Sequence, residues 1–385
     1  MANPGNLDDV SQIIAIHSAK GGVGKSTVAV NMAAALARKG ARVGLLDADV
    51  HGPSDSMMLG NSDWPDPSGK PNTILPLRAH GIKFVSMGNL VTEQTPVMWR
   101  GAMVHGVINQ FLTDVDWGKL DFLLIDMPPG TGDAQLSIAQ GVPLAGAVVV
   151  STPQELSLVD TLRGINCFRK LNVPILGLIE NMSYFVCDGC QQREHLFGES
   201  GAQALADEMS FQVLARIPIE PLICESGDKG KPFVLSAPDS ASARAVESGL
   251  GELLSILDKS KSTYSFKLDW AEMGWDQRQP TPPASEETVG PVKAIWQVSQ
   301  DELGIQWSDD KTSTVSVREL RLACPCAACV DEWTAQALLD PDKVPADVTL
   351  QKIFSVGRYA IQPEFSDGHK SGIFHFDRLR DLTER

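Results

Sequence analysis

The sequence predicts an α/β protein: an open parallel β-sheet with helices on both faces, followed by a second, small β-rich domain. Three observations support this. From Gln12 to about Leu257, short apolar runs alternate with stretches of helical period. A polar segment rich in Pro, Glu and Thr then breaks the pattern over 277–292. From Val292 the periodicity becomes that of strands.

Ile13–His17, Val43–Leu46, Phe122–Ile125, Ala147–Val150, Ile175–Ile179 and Val213–Ile217 read as strands. They are continuous apolar runs, as expected of strands covered on both faces of a parallel sheet. Thr27–Arg38 and Leu156–Leu171 read as helices between them. Sheets of this kind bind ligands beyond the carboxyl ends of their strands. Residues 1–258 are assigned to this domain and 259–291 to a linker. Residues 292–385 form the second domain, with strands at Ala294–Val298, Gly304–Trp307, Thr314–Val317, Lys352–Val356 and Ile373–His375. A helix is predicted over Glu332–Leu339. At roughly 95 residues this domain can hold one core.

The formal net charge is −15 with a pI near 4.9. A surface that grips a nucleic acid backbone has the opposite balance, so no nucleic-acid partner is expected. No apolar run reaches the ~18 residues that a membrane span needs, so no membrane partner is expected. Met1–Asp9 has no basic stretch followed by an apolar one, and no secretion signal is read there. The expected location is the cytoplasm, or an organelle stroma if a transit peptide has been removed. In a reducing compartment the seven cysteines are not read as disulfides. Five of them fall in two tight groups, Cys187/Cys190 and Cys324/Cys326/Cys329, and such grouping points to metal.

Ser18-Ala19-Lys20-Gly21-Gly22-Val23-Gly24-Lys25-Ser26-Thr27 follows a predicted strand and opens a predicted helix. In that context the glycines let backbone N–H groups approach phosphate oxygens, and the helix N-terminus adds its dipole. Residues Ala19 to Thr27 are therefore the candidate phosphate cradle. Lys25 is expected on the β- and γ-phosphates and Ser26 on Mg²⁺. Ala19 stands where the ordinary pattern has glycine, and Lys20 precedes the glycine pair. In this the loop resembles the deviant P-loop of the ParA/MinD/nitrogenase iron protein class. That resemblance implies ATP as ligand and Asp49, in Asp47-Ala-Asp49, as the residue orienting the attacking water. It implies Asp126, opening Asp126-Met-Pro-Pro-Gly-Thr-Gly-Asp133, as a direct or indirect Mg²⁺ partner. It also implies that Lys20 reaches the phosphates of a partner subunit, and so a homodimer gated by nucleotide.

Glu180-Asn-Met-Ser-Tyr-Phe-Val-Cys187-Asp-Gly-Cys190 follows the predicted strand Ile175–Ile179. This segment resembles the Mrp/ApbC-type ATPases that carry iron–sulfur clusters. So do Asp49-Val-His-Gly-Pro-Ser54, Met98-Trp-Arg-Gly101, Phe111-Leu-Thr-Asp-Val-Asp-Trp117 and Asp126–Asp133, over about Ile13 to Ser236. The resemblance implies that Asn181 contacts the adenine base. Two thiolates hold one edge of a cluster and a complete set takes four. A two-fold dimer presents the pair twice, so Cys187 and Cys190 are expected to share a [4Fe-4S] cluster across a homodimer. Half of a zinc knuckle with His195 as third ligand, or a redox dithiol, are the alternatives. The family often carries a small domain before the P-loop. Only Met1–Gln12 precede the first predicted strand here, so that domain's role is expected to be absent or supplied by another protein. Cys167 reads as an ordinary helix residue, and Cys224, in a predicted loop, is given no role.

Arg321-Leu-Ala-Cys324-Pro-Cys326-Ala-Ala-Cys329 resembles the small domain at the N-terminus of gamma-butyrobetaine hydroxylases. That resemblance implies Zn²⁺ held by Cys324, Cys326, Cys329 and His369, with His375 as the rival fourth ligand. Three thiolates and one imidazole make a closed structural site. An iron–sulfur cluster is the alternative there, since thiolates suit both metals. The reading that follows is an ATP-dependent iron–sulfur cluster carrier or scaffold with slow hydrolysis, serving apo iron–sulfur client proteins and loaded by a cluster donor. The rival is a MinD/ParA-like nucleotide switch acting on a protein partner, with cysteines that bind structural zinc. A nitrogenase-like reductase is disfavoured, because its cluster cysteines sit near the switch segments and Asp126–Asp133 has none.

Overall fold

The computed structural model describes residues 7, 9–49, 52–63, 65, 73–89, 101–130, 132–171, 173–187, 189–199, 201–263, 267–269, 292–299, 301–326, 328–330, 336–356 and 360–384. The chain divides into two compact units, Met1–Ile256 and Leu257–Arg385.

The first unit is built on strands β1 (Val10–His17), β2 (Val43–Asp47), β3 (Leu77–Ala79), β4 (Ile82–Ser86), β5 (Leu120–Asp126), β6 (Gly146–Ser151), β7 (Ile175–Glu180), β8 (Phe185–Val186), β9 (Arg193–Glu194) and β10 (Val213–Arg216). Its helices are α1 (Lys25–Arg38), α2 (Asp55–Met58), α3 (Gly101–Thr113), α4 (Asp133–Gly141), α5 (Glu155–Lys170), α6 (Gly201–Glu208), α7 (Pro221–Asp228), α8 (Phe233–Ser236) and α9 (Ala241–Thr263). The main sheet runs β10-β7-β6-β1-β5-β2-β4-β3. Every pairing is parallel except β3 with β4. All six strands read from the sequence are present, and the α/β class is as expected. The β3–β4 edge escaped the sequence reading because its strands are short and polar residues interrupt their apolar ones. Its turn, His80-Gly81, takes positive φ at both residues (49° and 81°), the primed geometry that suits a two-residue hairpin.

β1 lies between β5 and β6, while the chain leaves it for β2 on the far side of β5. The order of strands therefore reverses beside β1, and a crevice opens at its carboxyl end. The register sets Asp126 of β5 opposite both Ile16 of β1 and Asp47 of β2. Under this edge, Leu123, Ile125, Phe111, Val115 and Trp117 form a closed core. α1 packs closely because alanines at 29, 33, 34 and 35 are all buried. Arg38 ties its end to the Val234 carbonyl (2.6 Å) and pairs with Glu247. Pro221–Asp228, expected as a loop, is helical, with Pro221 at its first turn, where no N–H is needed.

The second unit contains β11 (Lys267–Asp269), β12 (Val292–Ser299), β13 (Glu302–Trp307), β14 (Thr312–Ser316), β15 (Leu350–Val356), β16 (Ala360–Phe365) and β17 (Phe374–His375), with helices α10 (Val317–Leu322) and α11 (Phe376–Thr383). Two sheets form, β11-β12-β13-β14 and β15-β16-β17. Antiparallel pairs dominate, and β11 pairs parallel with β12. The stretch read as linker thus contains the end of α9 and the strand β11, while 264–266 and 270–291 lie outside the described residues. α10 starts with a capping box, in which Ser316 accepts from the Glu319 N–H and Glu319 reaches back to the Ser316 N–H. Of the helix predicted over Glu332–Leu339, 332–335 lie outside the described residues. Gln336–Leu339 is not helical: Ala337 bridges to Val330, and the Leu338 and Leu339 amides donate to the Cys329 carbonyl. Backbone bonds around the cysteine turn outweigh local helical propensity here. Leu303, Ile305, Trp307, Phe365 and Phe374 share one core with Cys324, Cys326 and Cys329. Among the described residues, no helix is long and apolar enough to cross a membrane.

His17, the last residue of β1, is buried with neither ring nitrogen hydrogen-bonded, and meets Phe168 edge-on at 4.9 Å. Burial, with the Lys25 charge, lowers its pKa to about 3. The folded value lies below the unfolded one of ~6.5, so the unfolded chain takes up a proton that the fold refuses. Stability from this group is intact above pH ~6.5 and is lost as pH falls toward 3, by on the order of 3–5 kcal/mol in total. Urea unfolding of the full chain at pH 7, 6, 5 and 4 should show this slope, and His17→Leu should flatten it.

Candidate functional site

The loop between β1 and α1 wraps a cavity of about 420 Å³ bordered by Gly21, Gly24, Lys25, Ser26, Asp49 and Pro129. Gly24 takes φ 82° and precedes the first residue of α1, so the first amides of the helix face the cavity. A Cβ on Gly24 would lie 2.2 Å from Asn181 Nδ2. Asn181, buried at the end of β7, donates to the Val23 carbonyl at 2.9 Å and so braces the loop from beneath. Its amide is thereby engaged on the loop backbone, a contact that the sequence reading did not foresee. Lys20 is exposed, and Ser18 donates to its carbonyl at 2.9 Å.

Lys25 Nζ lies 2.6 Å from Asp126 Oδ1 and 3.7 Å from Asp49 Oδ2. Ser26 Oγ donates to the other Asp126 oxygen at 2.6 Å. The sequence-predicted Lys25, Ser26, Asp49 and Asp126 are thus brought together. Behind them lie two carboxylates that sequence reasoning gave no role, Asp47 and Asp55. One oxygen from each of Asp47, Asp55 and Asp126 lies within 4.8 Å of the others, and all three residues are buried. Asp47 accepts from the Asp49 and Asp55 amides and from Ser86 Oγ (2.7 Å), whereas Asp55 has no hydrogen-bond partner on either oxygen. Burial, then the neighbouring Asp126 charge, pushes Asp47 up to about 7. Burial and Asp47 hold Asp55 well above the usual carboxylate range. Burial alone would lower Lys25, but Asp126, Asp49 and Asp55 more than reverse it and keep the ammonium charged. Asp47 could have been noticed beside Asp49 in the sequence. Asp55 carried no such signal.

Beyond Asn181 the chain forms the β8–β9 hairpin, whose turn carries Cys187 and Cys190. Cys187 is half-buried and Cys190 exposed. Amides of Cys190 and Gly189 point at the Cys187 sulfur and lower its pKa. Gln191, at φ 59°, turns the chain back so that its amide bonds the Cys187 carbonyl (2.7 Å). His195 contacts the Ser183 carbonyl at 3.2 Å. Among the described residues it does not gather with Cys187 and Cys190 as a metal-holding group.

In the second unit, Cys324, Cys326, Cys329 and His369 do gather. His369 Nε2 lies 3.1, 3.5 and 3.7 Å from their sulfurs. Tetrahedral zinc with ordinary bond lengths separates nitrogen and sulfur by about 3.5 Å, so the donor set fits that ion. The three thiols are buried and His369 half-buried.

A ParA-type profile described as the NUBPL iron-transfer P-loop NTPase matches residues 9–253. The chain belongs to this family. A second profile, gamma-butyrobetaine hydroxylase-like, N-terminal, matches residues 295–380. Among relatives, the iron-sulfur cluster carrier protein of Pseudomonas fragi is 48% identical over 251 residues, covering 64% of this chain and 88% of that protein. The iron-sulfur cluster transfer protein NUBPL of Mus musculus is 49% identical over 242 residues, covering 62% of this chain and 75% of that one. A solved nucleotide-binding protein from Archaeoglobus fulgidus, in complex with ADP, is 37% identical with a TM-score of 0.53, covering 60% of this chain and 93% of that one. As a family member the chain is a P-loop NTPase with a small β-rich appendage.

Gly24→Ala should disable the loop, since it places a side chain at positive φ and against Asn181. Nucleotide affinity measured by calorimetry is expected to fall at least ~10-fold, equivalent to about 1.4 kcal/mol, without loss of the folded far-UV spectrum.

Proposed function

We propose that this chain is an ATP-dependent iron–sulfur cluster carrier. A [4Fe-4S] cluster is its cargo, held by Cys187 and Cys190 of two subunits and passed to apo-protein clients. The observation that carries this reading is the placement of the thiol pair. The exposed knuckle continues directly from β7, the strand whose end braces the P-loop through Asn181. Cargo site and nucleotide site therefore share one strand. Cys190 is exposed and Cys187 half-buried, so the pair is accessible for sharing and release, whereas four thiolates from a single chain would close around the cargo. The names of the relatives support the same reading, as does the bound ADP of the Archaeoglobus fulgidus protein.

In this reading ATP lies along the loop from Ala19 to Thr27, with the adenine near Asn181. Lys25 leaves Asp126 for the β- and γ-phosphate oxygens. Ser26 would hold Mg²⁺ with Asp126 behind it, and the ion supplies neutralisation of phosphate charge. Asp49 orients a water whose oxygen bonds to the γ-phosphorus as the bond to the bridging oxygen breaks, giving ADP and phosphate. Lys20, exposed at the loop's rim, reaches the phosphates of the second subunit. Hydrolysis serves to switch the dimer between holding and releasing its cargo. In the second unit Cys324, Cys326, Cys329 and His369 would hold a structural Zn²⁺, which ties the cysteine turn to a loop some forty residues later and couples metal to folding. Placement in the cytoplasm or an organelle stroma belongs to the same proposal.

Cys187→Ser with Cys190→Ser should abolish labile iron and sulfide in anaerobically purified protein and leave ADP affinity unchanged. Wild-type iron and sulfide in the double mutant would refute the cargo site. Lys25→Ala should cut ATP turnover by about 100-fold or more, because it removes charge from the transferring phosphate. Lys20→Ala should also lose turnover but keep more nucleotide affinity. Equal loss of affinity in the two variants would rule out a role for Lys20 across the dimer.

A further inference from the structure

We infer that Arg321 is the positioning residue of the Cys324/Cys326/Cys329/His369 site, joining its two halves through one guanidinium. The inference rests on reading that site as a zinc site. Three of the ligands lie in one turn after α10, and the fourth lies far along the chain, between β16 and β17. Arg321 sits in α10, three residues before Cys324, and is buried. Its Nη1 donates to Cys329 Sγ at 3.4 Å. Its Nε donates to Asp367 Oδ2 at 2.7 Å. The second Asp367 oxygen accepts the backbone N–H of His369 at 3.0 Å. A continuous relay therefore runs from a ligand sulfur through Arg321 and Asp367 to the backbone of the ligand histidine. The Phe365 ring, 5.7 Å from the guanidinium carbon, covers it.

The relay has two physical effects. It fixes the His369 loop, so that the imidazole already faces all three sulfurs, which lowers the ordering cost of binding a metal. It also places a cation on a thiolate. Three thiolates around a divalent ion leave a net negative charge in a buried place, and a charge-assisted hydrogen bond to sulfur draws off part of it. Lysine cannot substitute, because its single ammonium cannot reach sulfur and carboxylate from two separate nitrogens. Ser371 Oγ, 3.3 Å from Cys326 Sγ, also joins the His369 loop to the cysteine turn, but through a neutral hydrogen bond that brings no cation to the sulfur and does not hold the His369 backbone.

The test uses the full chain with Cys187→Ser and Cys190→Ser, so that the knuckle does not compete for metal. The protein is stripped with a chelator under reducing conditions and titrated with Co²⁺. Zn²⁺ affinity is then measured by competition with a chromophoric chelator. The parent should give tetrahedral Co²⁺ bands and a thiolate-to-cobalt charge-transfer band. Arg321→Gln should bind Zn²⁺ about 10- to 100-fold more weakly. Its charge-transfer band should move to lower energy, since the Cys329 sulfur loses its donor. Arg321→Lys should recover only part of the affinity. Asp367→Asn should lose affinity with the band unmoved, because Arg321 stays on the sulfur while the link to His369 weakens. Arg321→Gln with parental affinity and an unshifted band would overturn the inference and leave the zinc reading standing. If Arg321→Gln fails to fold by circular dichroism, parental affinity in both Arg321→Lys and Asp367→Asn overturns it instead. A parent that binds neither ion at this site overturns the zinc reading itself.

Discussion

The nucleotide site depends on one ion pair, Lys25 with Asp126, placed where water is excluded. Parallel register sets Asp126 beside Asp47, and the turn after β2 brings in Asp55, so three buried carboxylates meet at one point. Such a group is tolerable only with a cation, bound protons or strong donors in place. Lys25 supplies the cation, and the Asp49 and Asp55 amides with Ser86 supply donors to Asp47. Asp55, with no donor on either oxygen, is held well above the usual carboxylate range by burial and the Asp47 charge. The arrangement keeps Lys25 charged and fixed between Asp126 and Asp49 at the edge of the loop cavity. Removing that lysine would leave the acidic group uncompensated as well as the phosphate unbound, so its loss costs more than one contact.

The two thiol sites are opposites in the property that matters for metal chemistry, which is access. Cys187 and Cys190 sit on a two-stranded hairpin at the surface, with backbone amides directed at one sulfur. Cys324, Cys326 and Cys329 are core residues, packed with Phe365 and Phe374 and faced by His369. An accessible pair offers only two of the four thiolates that a cluster takes. Three buried thiols and a half-buried imidazole supply four donors from one chain. Cargo handling fits the first and structural metal the second.

Much of this was legible in the sequence. The continuous apolar runs marked six of the parallel strands because burial on both faces removes any polar alternation. The loop from Ala19 to Thr27 was legible because a phosphate cradle needs glycine at fixed offsets. His369 came from the resemblance to the hydroxylase domain, since nothing local ties a histidine to cysteines so far back in the chain. What was not legible depends on tertiary register or on backbone bonding. Asp55 has no motif of its own and becomes notable only when the turn after β2 carries it beneath the P-loop. The pattern over Glu332–Leu339 suggested helix, but the described part is held extended by amides that donate to Cys329. Arg321 stood within the quoted cysteine motif, yet its partners, Cys329 and Asp367, are set by folding.

The remaining step is how phosphate chemistry at one end of β7 could be felt by thiols beyond its other contacts. Glu180, the last residue of β7, is wholly buried and accepts from Ser183 Oγ, and Arg216 of β10 stands 3.8 Å away. The Ser183 amide donates to the Ile217 carbonyl, and the Ile219 amide to that of Tyr184. The segment between Asn181 and the hairpin is thus stitched to the chain after β10 by backbone bonds. It has little freedom to move independently of the loop that Asn181 braces. A shift of the Val23 carbonyl on phosphate binding would pull on Asn181 and be passed along this stitched segment to Cys187. Coupling would then need no separate lever, since the end of β7 adjoins both the P-loop, through Asn181, and the hairpin that carries Cys187 and Cys190.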